Sequence, residues 1–484
     1  MSTSSETQGT ATRWWALALI ATAQFMVIMD TSIIGVALPQ MQADLGFTQH
    51  NLSWVFNAYV VAFGGLLLLG GRLSDLFGAR RLFATGWFVL LVGSLVAGLA
   101  GNVGVELTGR AMQGVGAALI APSALTLLMM LFGANPKELT KALALYGAAA
   151  PAGGTAGVFL GGVITEYVSW PWVFYINIPI AVIALIGTRA LMPAGAMGGR
   201  GSVDFVGALT VTLGLAAAVY GIVRAPEAGW GSGETWLALG IAAVLLVTFV
   251  VSQAVSRAPL MRLSIFRTPN LSGANLAQVL LGGAWIPMWF FLNLYLQQVL
   301  GYTAFPSGAA LLPMTVLIMI GMIVLAPRVM ARFGPKVPIV AGLVILGLGL
   351  GWLSLIRADG NFWADVLPAS LVAALGMSLA FIPSLGTAIS AARPEEGGLA
   401  AGIVNTSYQV GSALGLAAMT AVAAAYGADQ LGNAPVLTDG FSAAFLGAGG
   451  IALAGAIFAL ITLRTPPVAA EPTPAESGVD AAVR

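Results

Sequence analysis

Some fourteen apolar stretches of roughly 20 residues follow one another along this chain, and each is long enough to cross a hydrocarbon layer as a helix. They begin near Trp14, Leu52, Leu82, Val105, Lys141, Val173, Phe205, Trp236, Leu271, Pro306, Val337, Ala364, Leu399 and Phe441. In lipid every backbone N–H and C=O must be satisfied within the structure, so stretches of this length read as helices. Charge supports the same solvent. Only 8% of the 484 residues are charged, against about a quarter in soluble proteins. Such a chain cannot cover a water-facing surface. The 62 glycines fit, because helices pack closely in lipid through small residues. The expected fold class is an all-α polytopic membrane protein with 14 transmembrane helices.

Charge placement tests the count. With the N-terminus inside, 17 of the 20 Lys and Arg residues fall in even-numbered connections or tails, including Arg13, Arg72, Arg80, Arg81, Lys137, Arg189, Arg200, Arg257, Arg393 and Arg484. Arg224 and Arg357 fall outside, and Arg110 lies within a stretch. A count wrong by one would scramble this positive-inside bias. Both termini are therefore expected in the cytoplasm.

The chain also repeats itself. Arg72-Leu-Ser-Asp-Leu-Phe-Gly-Ala-Arg80 returns as Arg328-Val-Met-Ala-Arg-Phe-Gly-Pro-Lys336, with Phe77 and Gly78 answered by Phe333 and Gly334. Each segment follows the second helix of a block of six. The expectation is two six-helix pseudo-repeats, 14–192 and 265–464, with two inserted helices in a linker, 193–264. A cytoplasmic tail, 1–13, precedes them and a disordered one, 465–484, follows. Two parallel six-helix repeats suit a transporter that binds substrate between its halves.

Other classes fall away on composition. There is no Cys and one His, His50, so no thiolate site, Cys nucleophile or two-histidine metal site is available. No Gly-Lys-Ser/Thr phosphate loop occurs. The chain is not expected to be an enzyme or to carry a cofactor or metal. A net charge of +1 gives no sign of a nucleic-acid partner. The polar Met1–Thr12 segment and the length of the run after Trp14 argue against a cleavable signal.

Four segments, in order, resemble the major facilitator superfamily, and specifically its 14-helix drug:proton antiporters. Met29-Asp-Thr-Ser-Ile-Ile-Gly-Val-Ala-Leu-Pro39 is similar to the helix-1 signature with its embedded acid. Gly71-Arg-Leu-Ser-Asp-Leu-Phe-Gly-Ala-Arg-Arg81 resembles the loop motif between helices 2 and 3. Arg110-Ala-Met-Gln-Gly-Val-Gly116 matches the helix-4 motif linked to proton transfer. Gly153 to Gly162 resembles the helix-5 antiporter motif, with Gly157-Val158 where the family usually has Gly-Pro. Trp170-Pro171-Trp172 stands where the family usually reads Trp-Arg-Trp.

A charge inside the hydrocarbon marks a functional site by default. Asp30 and Arg110 are the two clear cases, roughly 10 Å and 9 Å from the outer ends of their helices at 1.5 Å per residue. They are expected to form the proton-coupling pair. The competing readings are a structural ion pair, or neutralisation of Arg110 by Glu106 one turn earlier. In the loop, the resemblance implies that Asp75 docks at the N-terminus of helix 13 and holds the inner gate shut. Such a charge–dipole contact is worth about 0.3–1 kcal/mol. Gly78 suits its tight turn, and Gly71, Arg72, Arg80 and Arg81 complete the gating loop, the arginines also serving topology. Gly153, Gly157 and Gly161, with Gly162, read as a close-packing face on helix 5, echoed by Gly411 and Gly415.

Asn57, Tyr59, Gln113, Trp285, Trp289, Asn405 and Gln409 are candidate cavity residues for flat apolar molecules, with helix–helix hydrogen bonding or packing the alternative. Trp14, Trp15 and Trp170 read as interface anchors. Asp359, Asp365, Asp429 and Asp439 are expected in outer connections, leaving the second block without an intramembrane acid. The expected function is proton-coupled export of small lipophilic, neutral or monocationic compounds by a monomer in the bacterial cytoplasmic membrane. The partners are thus substrate, protons and the bilayer. A symporter or metabolite carrier of the same superfamily, or a membrane receptor, remain alternatives.

Overall fold

The computed structural model describes residues 3–193, 204–256, 259–392 and 397–464. Arg200, Arg257, Arg393, Arg484 and the tail 465–484, with parts of the linker, lie outside the described residues. Among the described residues fourteen helices are long and apolar enough to cross a membrane. They are α1 (Thr12–Leu45), α2 (Trp54–Phe77), α3 (Ala79–Gly98), α4 (Val103–Phe132), α5 (Lys141–Tyr167), α6 (Trp172–Leu191), α7 (Phe205–Ala228) and α8 (Gly233–Val255), then α9 (Leu271–Val299), α10 (Ala304–Phe333), α11 (Lys336–Leu353), α12 (Phe362–Ala391), α13 (Leu399–Ala425) and α14 (Ala434–Thr462). No strand occurs among those residues.

Helix starts agree with the sequence reading within three residues except at α14, which begins seven residues earlier. Asn433 caps it by accepting from Val436 N, and a proline occupies its first turn. This start takes Asp439 out of a connection and onto the first turns of α14, where it is exposed. Asp365 likewise sits in a π-turn, Phe362–Val366, paired with Arg357 at 3.2 Å. The first helix departs most. It is helical from Thr3, within the expected tail, and continues to Leu45, fifteen residues beyond Asp30. Its polar end is sustained by protein partners: Gln40 donates to Thr165 O, Gln42 to Gln49, and Asp44 accepts from Trp170. Trp170 is therefore a buried, hydrogen-bonded residue and no interface anchor. Trp15 is 69% exposed.

The two halves repeat one packing plan. In the first, α1 packs on α5, α3 on α4, α2 on α4 and α3 on α6. In the second, α9 packs on α13, α11 on α12, α10 on α12 and α11 on α14. The loop repeat is matched in backbone conformation, since Gly78 and Gly334 both take positive φ, 90° and 72°. The halves meet along two seams, α5 with α10 and α2 with α13. The inserted helix α7 lies against α2 and α13, so it touches both halves, while α8 packs chiefly on α7.

Candidate functional site

The glycine row of α5 sets the position of α1. A Cβ at Gly153, Gly157 or Gly161 would collide with the backbone of Phe25, of Met29 or of Ile33, one per turn of α1. Without side chains the helices touch along these turns, and Asp30 follows Met29 in that fixed stretch. Gly162 faces the other half instead, against Ala304 and Phe305 of α10. Gly411 and Gly415 do the same work in the second half, against Val279 and Gly283 of α9.

From α1, Asp30 reaches into the first half. Arg110 Nη1 donates to Asp30 Oδ2 at 2.5 Å, and both side chains are almost wholly excluded from solvent. Gln113 Nε2 and Asn177 Nδ2 donate to Asp30 Oδ1 at 2.9 and 2.8 Å. Ser94 Oγ accepts from the same two amides, at 2.9 and 3.2 Å. Three donors from two helices thus surround one carboxylate, which suits its ionised form. The guanidinium is held as firmly. Its Nε donates to Val55 O at 2.9 Å, its Nη1 also reaches Gln113 Oε1 at 2.7 Å, and the Tyr59 ring lies 4.7 Å from it. Tyr59 in turn donates to Val27 O at 3.3 Å. The structure brings together Asp30, Arg110, Gln113 and Tyr59, and pairs Arg110 with Asp30 and not with Glu106.

That geometry corrects the cavity assignment. Gln113 belongs to the ionic cluster through both ends of its amide, and Tyr59 through its ring, with its hydroxyl on Val27 O. Asn57 is buried, with neither side-chain atom hydrogen-bonded among the described residues. Asn405 is exposed and donates to Ala401 O of its own helix. Trp289 packs against Gly35, Trp285 is buried in α9, and Gln409 fills the space beside Gly64 of α2. Trp289 and Gln409 thus lie at contacts of α9 and α13 with the first half. Sequence reasoning missed Asn177 and Ser94, and in the second half Gln278, which donates to Ser384 Oγ at 2.8 Å, and Asn275, which accepts from Ser407 at 2.9 Å. For Asn177, Asn275 and Gln278 the signal is an amide within an apolar run, the same that singled out Asn57.

We call the membrane face carrying the α1–α2 connection distal and the opposite face proximal. The halves are sealed distally. Gln49 donates to Gln298 and Gln298 to Gln42, each at 3.0 Å, Gln297 donates to Val36 O at 3.0 Å, and Phe56 meets Phe290 edge-on. In the proximal loop, Arg80 Nη2 donates to Arg189 O at the end of α6 at 2.5 Å. Asp75 is exposed and has no hydrogen bond or ion pair with a described residue, so the expected docking at α13 is not made among them. Gly71 packs near Pro122, and Arg72 is partly buried.

Residues 20–416 match the Major Facilitator Superfamily. The chain is 38% identical to the cephamycin export protein CmcT of Amycolatopsis lactamdurans, over 91% of this chain and 90% of that one. It is 36% identical to a puromycin resistance protein of Streptomyces alboniger, over 95% and 93%. It is 32% identical to the tetracenomycin C resistance and export protein of Streptomyces glaucescens, over 84% and 75%. Among solved structures, the nucleoside transporter NupG superposes with a TM-score of 0.63 at 14% identity, over 94% of this chain and 100% of that one. That likeness concerns the fold alone.

Proposed function

The chain belongs to the major facilitator superfamily, and on that premise we propose that it is a proton-coupled antiporter exporting small lipophilic, neutral or monocationic compounds. The coarser statement stands on its relatives: it is a multi-pass membrane transporter of the drug-efflux type, and not an enzyme. The finer reading rests on one observation, the buried Asp30–Arg110 pair between α1 and α4.

The coupling follows from electrostatics. A carboxylate and a guanidinium in a dry site are stable only while paired. Protonating Asp30 removes one of the two charges and loosens α1 from α4 at the turn that the α5 glycines fix. That change can be transmitted to the seams, since α5 touches α10 through Gly162. Proton binding and opening of the distal seal are thereby linked. In this reading the distal face is outside and both termini are cytoplasmic, supported by Arg72, Arg80, Arg189, Arg262, Arg328 and Arg464 at the proximal face. The halves 14–192 and 265–464 rock against each other, with α7 and α8 of the linker 193–264 as a hairpin beside the α2–α13 seam. Residues Gly71 to Arg81 form the proximal gate, with Arg80 anchoring the loop to its own half and Asp75 left as its mobile contact.

Neutral substrates suit the second half, whose buried polar groups among the described residues are amides and hydroxyls, including Asn275, Gln278 and Ser384. The named cargoes of the relatives, cephamycin and tetracenomycin C, are small organic molecules and make this class the natural one to test. We place the protein as a monomer in a bacterial cytoplasmic membrane. Everted vesicles acidified inside are expected to accumulate ethidium, and a protonophore to abolish accumulation. Uptake that survives the protonophore would overturn the coupling. Transport of puromycin without ethidium would change only the substrate class.

A further inference from the structure

Glu106 lies one turn before Arg110 on α4, and both are wholly buried. Neither Glu106 carboxyl oxygen has a hydrogen-bond partner among the described residues, and Arg110 Nη2 has none either. Residues four apart on a helix are neighbours on one face. An acid and a guanidinium nitrogen, both buried, both unmatched and one turn apart, therefore share a site without using each other. Buried polar groups are otherwise almost always satisfied, so this arrangement needs a reason.

We propose that Glu106 is a second proton-binding carboxyl, the distal station of a relay in which Arg110 alternates between Asp30 and Glu106. The inference rests on the proton-coupled reading above and adds a site to it. One guanidinium offsets one carboxylate. With Asp30 paired to Arg110, a second carboxylate in the same dry site would leave an uncompensated charge, so the relay has Glu106 carry the proton while Arg110 is on Asp30. In the relay step the O–H bond on Glu106 breaks and an O–H bond forms on Asp30. Arg110 moves the opposite way, and its Nη2 finds the carboxylate it now lacks. The trio keeps the same net charge through that step. Asp30 then releases its proton to the proximal side as Arg110 returns, and Glu106 reloads from the distal side. Glu106 lies three residues from Val103, where α4 begins at the distal face, so it is the acid placed for distal entry.

The ionisable groups facing the site are few. Asp30 comes from α1, Tyr59 from α2 and Arg110 from α4 itself, while α3 brings Ser94 and α6 brings Asn177. Those of α5 and its leading turn are engaged elsewhere: Glu138 with Arg13, Lys141 over Trp14, Tyr146 with Gln24, Glu166 with Phe305 N and Tyr167 with the Phe305 ring. Tyr175 donates to Gly98 O.

The test uses the full-length protein in everted vesicles and in lipid. For Glu106→Gln, gradient-driven ethidium uptake is expected to fall about a hundredfold, the scale of a lost positioned acid–base group, while ethidium counterflow at equal pH, which needs no net proton movement, persists. Infrared spectra give a second readout. The wild type should show the C=O stretch of a protonated buried carboxyl at neutral pH. Asp30→Asn should lose that band although Asp30 is not its source, because Arg110 then turns to Glu106 and ionises it. Wild-type uptake in Glu106→Gln beside an inactive Asp30→Asn overturns the relay alone. Full uptake in Asp30→Asn overturns the proton-coupling pair itself. Where Glu106→Gln does not insert, the infrared comparison decides: a band absent from the wild type, or unchanged in Asp30→Asn, overturns the relay.

Discussion

The two six-helix halves share a packing plan and differ in what they bury. The first encloses two acids and a guanidinium, Asp30, Glu106 and Arg110, with amides and hydroxyls arranged around them. Among the described residues the second encloses only neutral groups, including Asn275, Gln278, Asn293, Ser384 and Thr387. It also carries three π-turns, Tyr295–Val299, Gly321–Leu325 and Phe362–Val366, where the first half has none among the described residues. Such turns break the helical ladder and recur at functional sites. Small residues at helix crossings reproduce the scaffold, as Gly157 and Gly415 do in equivalent places. They leave each half free to hold different chemistry. On the proposed reading, one half handles protons and the other an uncharged ligand.

The largest effect expected from breaking this contrast is at Asp30. Asp30→Asn should abolish gradient-driven transport while the protein still inserts, as read by vesicle uptake. Asp30→Ala leaves Arg110 only Glu106 to turn to, so its cost should fall below the ~3–5 kcal/mol of a stranded buried charge, measurable by unfolding in detergent. Next come the glycine rows. Gly157→Leu and Gly415→Leu should each destabilise by about 1–3 kcal/mol through overpacking. Equal losses would confirm that the rows are scaffold, and a transport defect without instability at Gly157 alone would tie that row to coupling. At Gln278, Gln278→Leu should weaken substrate binding about three- to tenfold, the worth of one hydrogen bond, with proton dependence unchanged. Loss of proton dependence there would erase the division between halves. The smallest effect belongs to the distal seal. Gln298→Ala should shift the balance toward a distal-open state by about 0.5–1.5 kcal/mol. Because the native chain has no Cys, a Gln42→Cys, Gln298→Cys pair can report that opening by cross-linking.

Helix number, the internal repeat and the membrane setting were all legible in the residues, because lipid imposes one rule on every span and hydropathy records it. So were Asp30 and Arg110, since charge in an apolar run is rare enough to stand out alone. The partners of that pair were not. Gln113 and Tyr59 looked like cavity residues, and Asn177 and Ser94 drew no notice, because a linear pattern does not say which face of a helix meets which neighbour. The length of α1 was hidden for a related reason: Gln42 and Asp44 look like the end of a span until Gln49 and Trp170 are known to receive them.

Order along the chain is a one-dimensional property, and spacing, charge and repetition carry it in full. Which of two acids holds Arg110 is a three-dimensional one. Glu106 is four residues away and Asp30 eighty, yet the tertiary structure pairs the distant one. The α5 glycines press α1 against its neighbours at that depth, and a contact made by packing overrides one offered by sequence proximity.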